Sequence, residues 1–415
     1  MAMFIKLAWR NVRRNVRRTL LTLSAIAVTV YALTFAQSYF KGALGGMYDN
    51  LIRTETGHIR IVHKDFLRRE RMTPLEFLVW DYPTIEQQLQ AIPGIERISQ
   101  RLKFHVMLDY KGNDEVCLGI GLQPEKERDI MPLTNHITTG RYLQANEKEI
   151  LLGTGLAEKL GIHVGDTLLV VTRTVYFSHD AMDFRVVGTF TTGLSSLDKH
   201  TFYLPFSKAQ ELLNAEGATT EIIIMLKQPH KAPDIAEQIA SLLTNNSAMA
   251  NYLVIPWQQQ RFLRDMVPYI RTVSAILFGI IMFIAGLVII NTMLMAVMER
   301  THEMGVMMAL GLKGRSLVAL FLLEAVIIAL LGGILGGALG SGVSIWTEVN
   351  GIDLSAVVSN IEMPVPIYGA KLYPDFTMMA LVKAILFGII TALVATAYPC
   401  YKAATLVPTE AIRRI

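Results

Sequence analysis

The sequence predicts an α-helical membrane protein with four transmembrane helices, one plus three, and a large mixed α/β extracytoplasmic domain between the first helix and the rest. Three observations predict it. Apolar runs at residues 19–40, 274–298, 317–345 and 376–398 each exceed the roughly 20 residues that carry a helix across a bilayer. A hydrophobic content of 52%, a mean hydropathy of +0.38 and only 18% charged residues are too apolar for an ordinary soluble chain. Residues 41–267, by contrast, are polar and alternate between strand-like and helix-like patterns.

In residues 1–18, Phe4, Ile5, Ala8, Trp9, Val12 and Val16 share a helical face, and Lys6, Arg10, Arg13, Arg14, Arg17 and Arg18 cover much of the rest. This spacing predicts an amphipathic helix in the inner membrane interface, with Trp9, Arg10, Arg13 and Arg14 as its interface residues. The apolar run at 19–40 exceeds the about 7–15 residues of a signal-peptide core, so it is read as a retained helix. Residues 41–267 form the α/β domain. Its expected strands are 58–62, 103–109, 116–121, 167–172, 184–190, 221–226 and 253–255, with helices at 84–91, 155–160, 207–214 and 233–244. Then follow a helix at 268–298, a loop at 299–316, a helix at 317–345, an outer loop at 346–375, a helix at 376–398 and a tail at 399–415.

Orientation comes from the short flanks, where Lys and Arg weigh most. The N-terminal segment, the 299–316 loop (Arg300, Lys313, Arg315) and the tail (Lys402, Arg413, Arg414) are basic, whereas 346–375 holds Lys371 against four acids. Both termini and the 299–316 loop are therefore expected in the cytoplasm. The formal charge of +4 is concentrated beside a membrane span, which suits anionic lipid and not nucleic acid. That topology puts Cys117 and Cys400 on opposite sides of the membrane, where they cannot pair.

Several chemistries are excluded by spacing. No GxxxxGK[ST] loop is present, so ATP and Mg, if used, are expected on another chain. Gly332, Gly336 and Gly340 repeat every four residues within a span, a small-residue stripe that lets helices approach closely in lipid. His302-Glu303 does not extend to HExxH, because position 306 is valine, and His58 and His63 fall on opposite faces of a strand. No catalytic, cofactor or metal residue is expected. Two intramembrane polar groups stand out: Glu324, read as structural and pairing near the inner face, and Lys383.

The 299–311 stretch contains Glu299, Arg300, Thr301, His302, Glu303, Met304, Gly305, Met307, Met308, Leu310 and Gly311. Charges gather at its start, methionines supply adaptable apolar knobs, and Gly311 can end the helix. It reads as a short amphipathic helix on which something docks from the cytoplasm.

These residues also carry a resemblance. Asn291-Thr292-Met293 through Thr301, then Glu303-x-Gly305 and Ala309-Leu310-Gly311, resemble the signature of the FtsX-like ABC transporter permeases, a group that includes MacB and the lipoprotein-releasing Lol permeases. Leu7-Ala8-Trp9-Arg10-Asn11, the stretch Glu149–Gly153 with Leu160-Gly161 and Val164-Gly165-Asp166, and Tyr398-Pro399 with Pro408-x-Glu410-Ala411 agree in the same order. Residues 66–82, with Arg68, Arg69 and Arg71, match no pattern of that family.

The resemblance implies a non-catalytic subunit in a bacterial inner membrane that works by mechanotransmission. A cytoplasmic ABC ATPase dimer would grip the coupling helix at Glu299–Gly311, and a second permease chain, identical or related, would complete the membrane part. Within the family the chain looks closest to the Lol type, which implies a lipoprotein substrate and a periplasmic carrier. The alternatives are export of peptides, drugs or other periplasmic substrates with adaptor partners, or a scaffold that controls a cell-wall hydrolase.

Overall fold

The computed structural model describes residues 2–14, 16–131, 133–192, 195–244, 249–353 and 371–405. Much of the 346–375 loop and of the 399–415 tail, including Pro408, Glu410, Arg413 and Arg414, lies outside them, as do the side chains of Phe4, Ile5, Val12, Arg18 and Arg71. The chain forms two compact units. Met1–Gly45, Tyr269–Ile352 and Leu372–Ile415 make one; Gly46–Pro268 and Asp353–Lys371 make the other. Helix α1 covers Ala2–Arg14 and α2 covers Val16–Leu51. The helix outruns its apolar core because no proline interrupts it, and it runs on through the Gly45-Gly46 pair. It ends in a π-turn at Ile52–Thr56, stopped by Gly57 at φ 62°, where a Cβ would press on the Ile223 side chain.

In the α/β unit, β1 (Ile59–His63) is followed by α3 (Lys64–Arg68), β2 (Val79–Trp80), α4 (Tyr82–Gln90), β3 (Ile95–Tyr110), β4 (Asn113–Leu122), α5 (Pro124–Ile130) and β5 (Ile137–Gly140). Next come β6 (Glu149–Gly153), α6 (Thr154–Leu160), β7 (Thr167–Arg173), β8 (His179–Phe190), α7 (Ser195–Asp198) and β9 (Thr201–Pro205). The unit continues through α8 (Phe206–Leu213), β10 (Ala218–Thr219), β11 (Glu221–Leu226), α9 (Ala232–Thr244) and β12 (Tyr252–Pro256).

The first lobe is an antiparallel sheet in the order β12-β1-β11-β3, crossed by α4 between β1 and β3 and by α9 between β11 and β12. Two interleaved split βαβ units of this kind make a ferredoxin-like plait. Its core is aliphatic: Ile59, Ile61, Ile222 and Ile224 from the sheet meet Ile85, Leu89, Ile235 and Ile239 from the two helices. The second lobe is inserted between β3 and β11. There β3 pairs with β4, β4 with β9, β9 with β6, β6 with β8, β8 with β7 and β7 again with β3, which closes a barrel. Leu102, Phe104, Val106, Ile150, Phe184 and Phe202 belong to the cluster that fills it. The long β3 therefore serves both lobes, β11 along Ile95–Arg101 and β7 along Val106–Asp109.

At that changeover sits a buried ionic joint. Arg101 is 1% exposed and grips Glu127 with two parallel bonds, each 2.8 Å, while Ser99 donates to the same carboxylate. Its guanidinium also donates to the carbonyls of Arg53 and Thr54 in the π-turn, as a cation suits the negative end of a helix. Across the register from Arg101, Glu221 lies 2.5 Å from Arg60 and 3.0 Å from Lys103. Burial alone would raise the Glu221 carboxyl, but Arg60 and Lys103 hold it below its ordinary range.

Beside this joint His58 is buried and its Nδ1 accepts the Leu226 N–H at 2.9 Å, so the ring must stay neutral there. Burial, then the nearby Arg53, keep its pKa below the ordinary histidine value of 6.5. The unfolded chain then binds more protons below that value, so stability falls as pH drops through 6.5 and levels off below the folded pKa. Thermal unfolding of the full chain in detergent from pH 7.5 to 5 should show this loss, and His58→Gln, which keeps an acceptor without titrating, should flatten it.

The helical unit is completed by α10 (Arg261–Met298), α11 (Thr301–Ala309), α12 (Gly314–Asn350) and α13 (Met378–Thr405). Among the described residues four helices are long and apolar enough to cross a membrane: Thr19–Thr56, Pro268–Met298, Gly314–Asn350 and Met378–Lys402. Their shared core is made of Ile26, Val30 and Leu33 of α2, Ala285, Ile289 and Met293 of α10, Ala325 and Ala329 of α12, and Ala384 and Ala392 of α13. Small residues at these crossings let the backbones close, which is where packing energy in lipid comes from. Lys41 and Asp375, 2.7 Å apart, and the Asp375 N–H on the Ser38 carbonyl tie α2 to the segment entering α13.

Candidate functional site

The turn between α10 and α12 is built by its end signals. Arg300 leaves helical geometry at φ −101°, ψ 7°, and the Thr301 hydroxyl donates to the Met298 carbonyl at 2.8 Å. At the other end Gly311 takes φ 93°. Its N–H meets the Met308 carbonyl and the Leu312 N–H meets that of Met307, the paired bonds of a Schellman stop.

The residues of this stretch divide by face. Met304 is fully buried against Val297, Leu317, Phe321 and Cys400, with Met307 and Met308 half-buried around them, and Gly305 is buried beside it. Arg300 is also turned inward, 4% exposed, where it donates to Glu324 of α12. Glu299, His302, Leu310 and Gly311 are exposed, with Thr301 and Glu303 half-buried at the rim. Val306, which the reading of the sequence passed over, belongs to the open face at 39% exposure. An apolar residue one turn from each of His302 and Leu310 was the signal for it. The open face thus mixes a carboxylate, an imidazole and apolar knobs, while the buried face is fixed to three helices.

The N-terminal helix reaches the same place. Arg14 lies 3.1 Å from Glu303, and Trp9, Arg10 and Arg13 are exposed around a buried Ala8. With side chains 64% and 40% exposed, the Arg14–Glu303 pair contributes about 0–1 kcal/mol, enough to orient but not to hold.

Of the intramembrane polar groups, Glu324 is 5% exposed and paired, and Lys383 is exposed on α13. The pairing brings Arg300, just past the end of α10, onto Glu324, about three turns inside α12. Gly332, Gly336 and Gly340 are buried against α2, near Ile26, Ala27 and Tyr31 in turn. Among the described residues no group of three His, Cys, Asp or Glu is placed to hold a metal ion. In the 66–82 segment Phe66 is buried with Val62 and Ile255, while Arg68, Met72 and Trp80 are exposed.

Comparison with known proteins places the chain among its relatives. Residues 19–242 match the MacB-like periplasmic core domain, and residues 275–408 match the FtsX-like permease C-terminal domain. The lipoprotein-releasing system transmembrane protein LolC of Xylella fastidiosa (strain 9a5c) is 26% identical over 303 residues, covering 71% of this chain and 72% of that one. A macrolide export ATP-binding/permease protein, MacB 1 of Escherichia coli O1:K1 / APEC, is 23% identical over 420 residues, covering 99% of this chain and 60% of its own length. Among solved structures, the periplasmic region of MacB from Actinobacillus actinomycetemcomitans matches 53% of this chain and 96% of its own, at 13% identity and a TM-score of 0.40. Since the first of the two domain matches alone spans more than half of its residues, the chain belongs to the FtsX/MacB-type ABC transporter permeases, of the LolC and MacB kind.

Proposed function

We propose that this chain is the membrane subunit of an ATP-driven mechanotransmission transporter that extracts lipoproteins from the bacterial inner membrane for delivery to a periplasmic carrier. The observation that carries the reading is α11, a short helix fixed on one side by Met304 and Arg300 and open on the other through His302, Glu303, Val306 and Leu310. A surface of that kind suits a partner that pushes. Its partner would be a cytoplasmic ABC ATPase dimer, which binds ATP and Mg and does the hydrolysis. Four spans enclose no wide path alone, so a second permease chain, identical or related, completes the transporter. The basic flanks support both termini in the cytoplasm, with membrane lipids around α1. The lipoprotein cargo follows the similarity to LolC, which runs over nearly equal shares of the two chains.

Glu303 sits at the rim of α11, beside Arg14. Glu303→Lys should lower ATPase stimulation by the permease at least about tenfold, ~1.4 kcal/mol of lost coupling, while the protein still inserts. Unchanged stimulation would remove α11 as the docking surface. The cargo is tested by purifying the full chain from detergent and identifying what comes with it by mass spectrometry. An ATPase with acylated proteins supports extraction. An ATPase with a periplasmic adaptor and no lipoprotein would favour export of a soluble substrate, the reading that alignment with MacB along 99% of this chain supports.

A further inference from the structure

Inside the inner half of the bundle, α2, α10, α12 and α13 surround a cavity of about 30 Å³ bordered by Thr22, Arg300, Phe321, Glu324 and Thr396. Arg300 and Glu324 meet at its wall with side chains 4% and 6% exposed, and the guanidinium lies 5.8 Å from the Phe321 ring centre. Arg300 Nε and Glu324 Oε2 have no hydrogen-bond partner among the described residues, so each charge depends on the other. Glu324 lies ten residues beyond Gly314, about 15 Å along α12 at roughly 1.5 Å per residue.

An ion pair here differs mechanically from the contacts around it. Apolar side chains between helices in lipid can slide, because the surrounding acyl chains are as apolar as the partner. Separating a buried Arg from its only Glu leaves two uncompensated charges in a low-dielectric interior, which resists displacement in any direction. The pair joins the residue that opens α11 to the interior of α12, and on α12 the glycine stripe is pressed onto α2. We propose that Arg300 and Glu324 are positioning residues, a latch that makes α11 and α12 move as one body, so that a push on α11 enters the bundle through α12. The proposal rests on the reading of α11 as the surface an ATPase grips.

The test uses the full complex with its co-purifying ATPase, carrying spin labels at Ala309 on α11 and Val349 near the outer end of α12, both exposed. The label-to-label distance is compared without nucleotide and after trapping with ATP and vanadate. In the otherwise unaltered chain the distance should not change. The double variant Arg300→Met, Glu324→Leu removes both charges and orphans neither, so a merely structural pair would be replaced without consequence. The latch instead predicts that this variant keeps its ATPase but gains a nucleotide-dependent distance shift. Charge exchange, Arg300→Glu with Glu324→Arg, should suppress that shift again. A double variant indistinguishable from the parent, or a parent whose two labels already move apart on trapping, overturns the latch. A parent that retains no ATPase overturns the functional reading beneath it, and the pull-down shows this before any variant is made.

Discussion

Replacing Arg101 with leucine is expected to destabilise the α/β domain by about 3–5 kcal/mol, the range seen when one partner of a buried pair is removed. The guanidinium makes two bonds to Glu127, one each to the Arg53 and Thr54 carbonyls, and lies fully buried. Without it Glu127 remains inside with, among the described residues, only Ser99 to satisfy it. For a domain of this size such a loss lowers Tm by roughly 10 °C, at about 2–4 °C per kcal/mol. Arg101→Lys keeps the charge but not the fork and should fall between. Arg101→Leu with Glu127→Leu should recover most of the loss, because no charge is left stranded. Thermal unfolding of the full chain in detergent decides the matter: a drop near 1 kcal/mol for the single variant would mean that water reaches Glu127.

The second large effect lies in the membrane helices. A Cβ added to Gly336 would land on the Ala27 carbonyl, which belongs to α2 backbone and cannot swing away. Gly336→Leu should force α12 and α2 apart at a cost of about 1–3 kcal/mol or more, since rigid overpacking has no rotamer to relieve it. Gly342→Leu, six residues along on a different side of the same helix, has nothing within 4 Å and should be tolerated. A cysteine cross-link between α2 and α12 that forms equally well in both variants would refute the close crossing.

The places where pattern reading worked share a cause. Helices at 84–91 and 233–244, and strands at 167–172 and 221–226, present one core-facing side or a continuous apolar run bounded by turn residues, and the structure sets them within two residues of those limits. Strands β6 and β9 were not legible. Ile150 and Leu152 enter the barrel cluster while Leu151 enters a second cluster behind it, and Phe202 and Leu204 are split from Tyr203 in the same way. A strand buried on both faces has no alternation to read. The length of β3 was also hidden: Glu96, Arg97 and Gln100 look like loop residues, yet they lie in a strand whose first half pairs with β11. In the turn between α10 and α12, composition marked the segment but could not divide it by face. Arg300, a charge in a loop, reads as solvent-facing until Glu324 is found opposite it.

The insertion of the barrel into the plait has a consequence for how the chain folds. β1 pairs with β11, Ile59 opposite Ile224, and also with β12, so the plait cannot close until more than half of the domain has been made. Barrel contacts such as β3 with β4 and β7 with β8 join neighbours in sequence and form early, before long loops must be closed. Local contacts thus favour the barrel as the first part to order, with β1 left as an unpaired apolar strand until β11 has been made. Synthesis from the N-terminus favours that sequence of events. It also marks β1 as the segment most in need of shielding while the chain is unfinished.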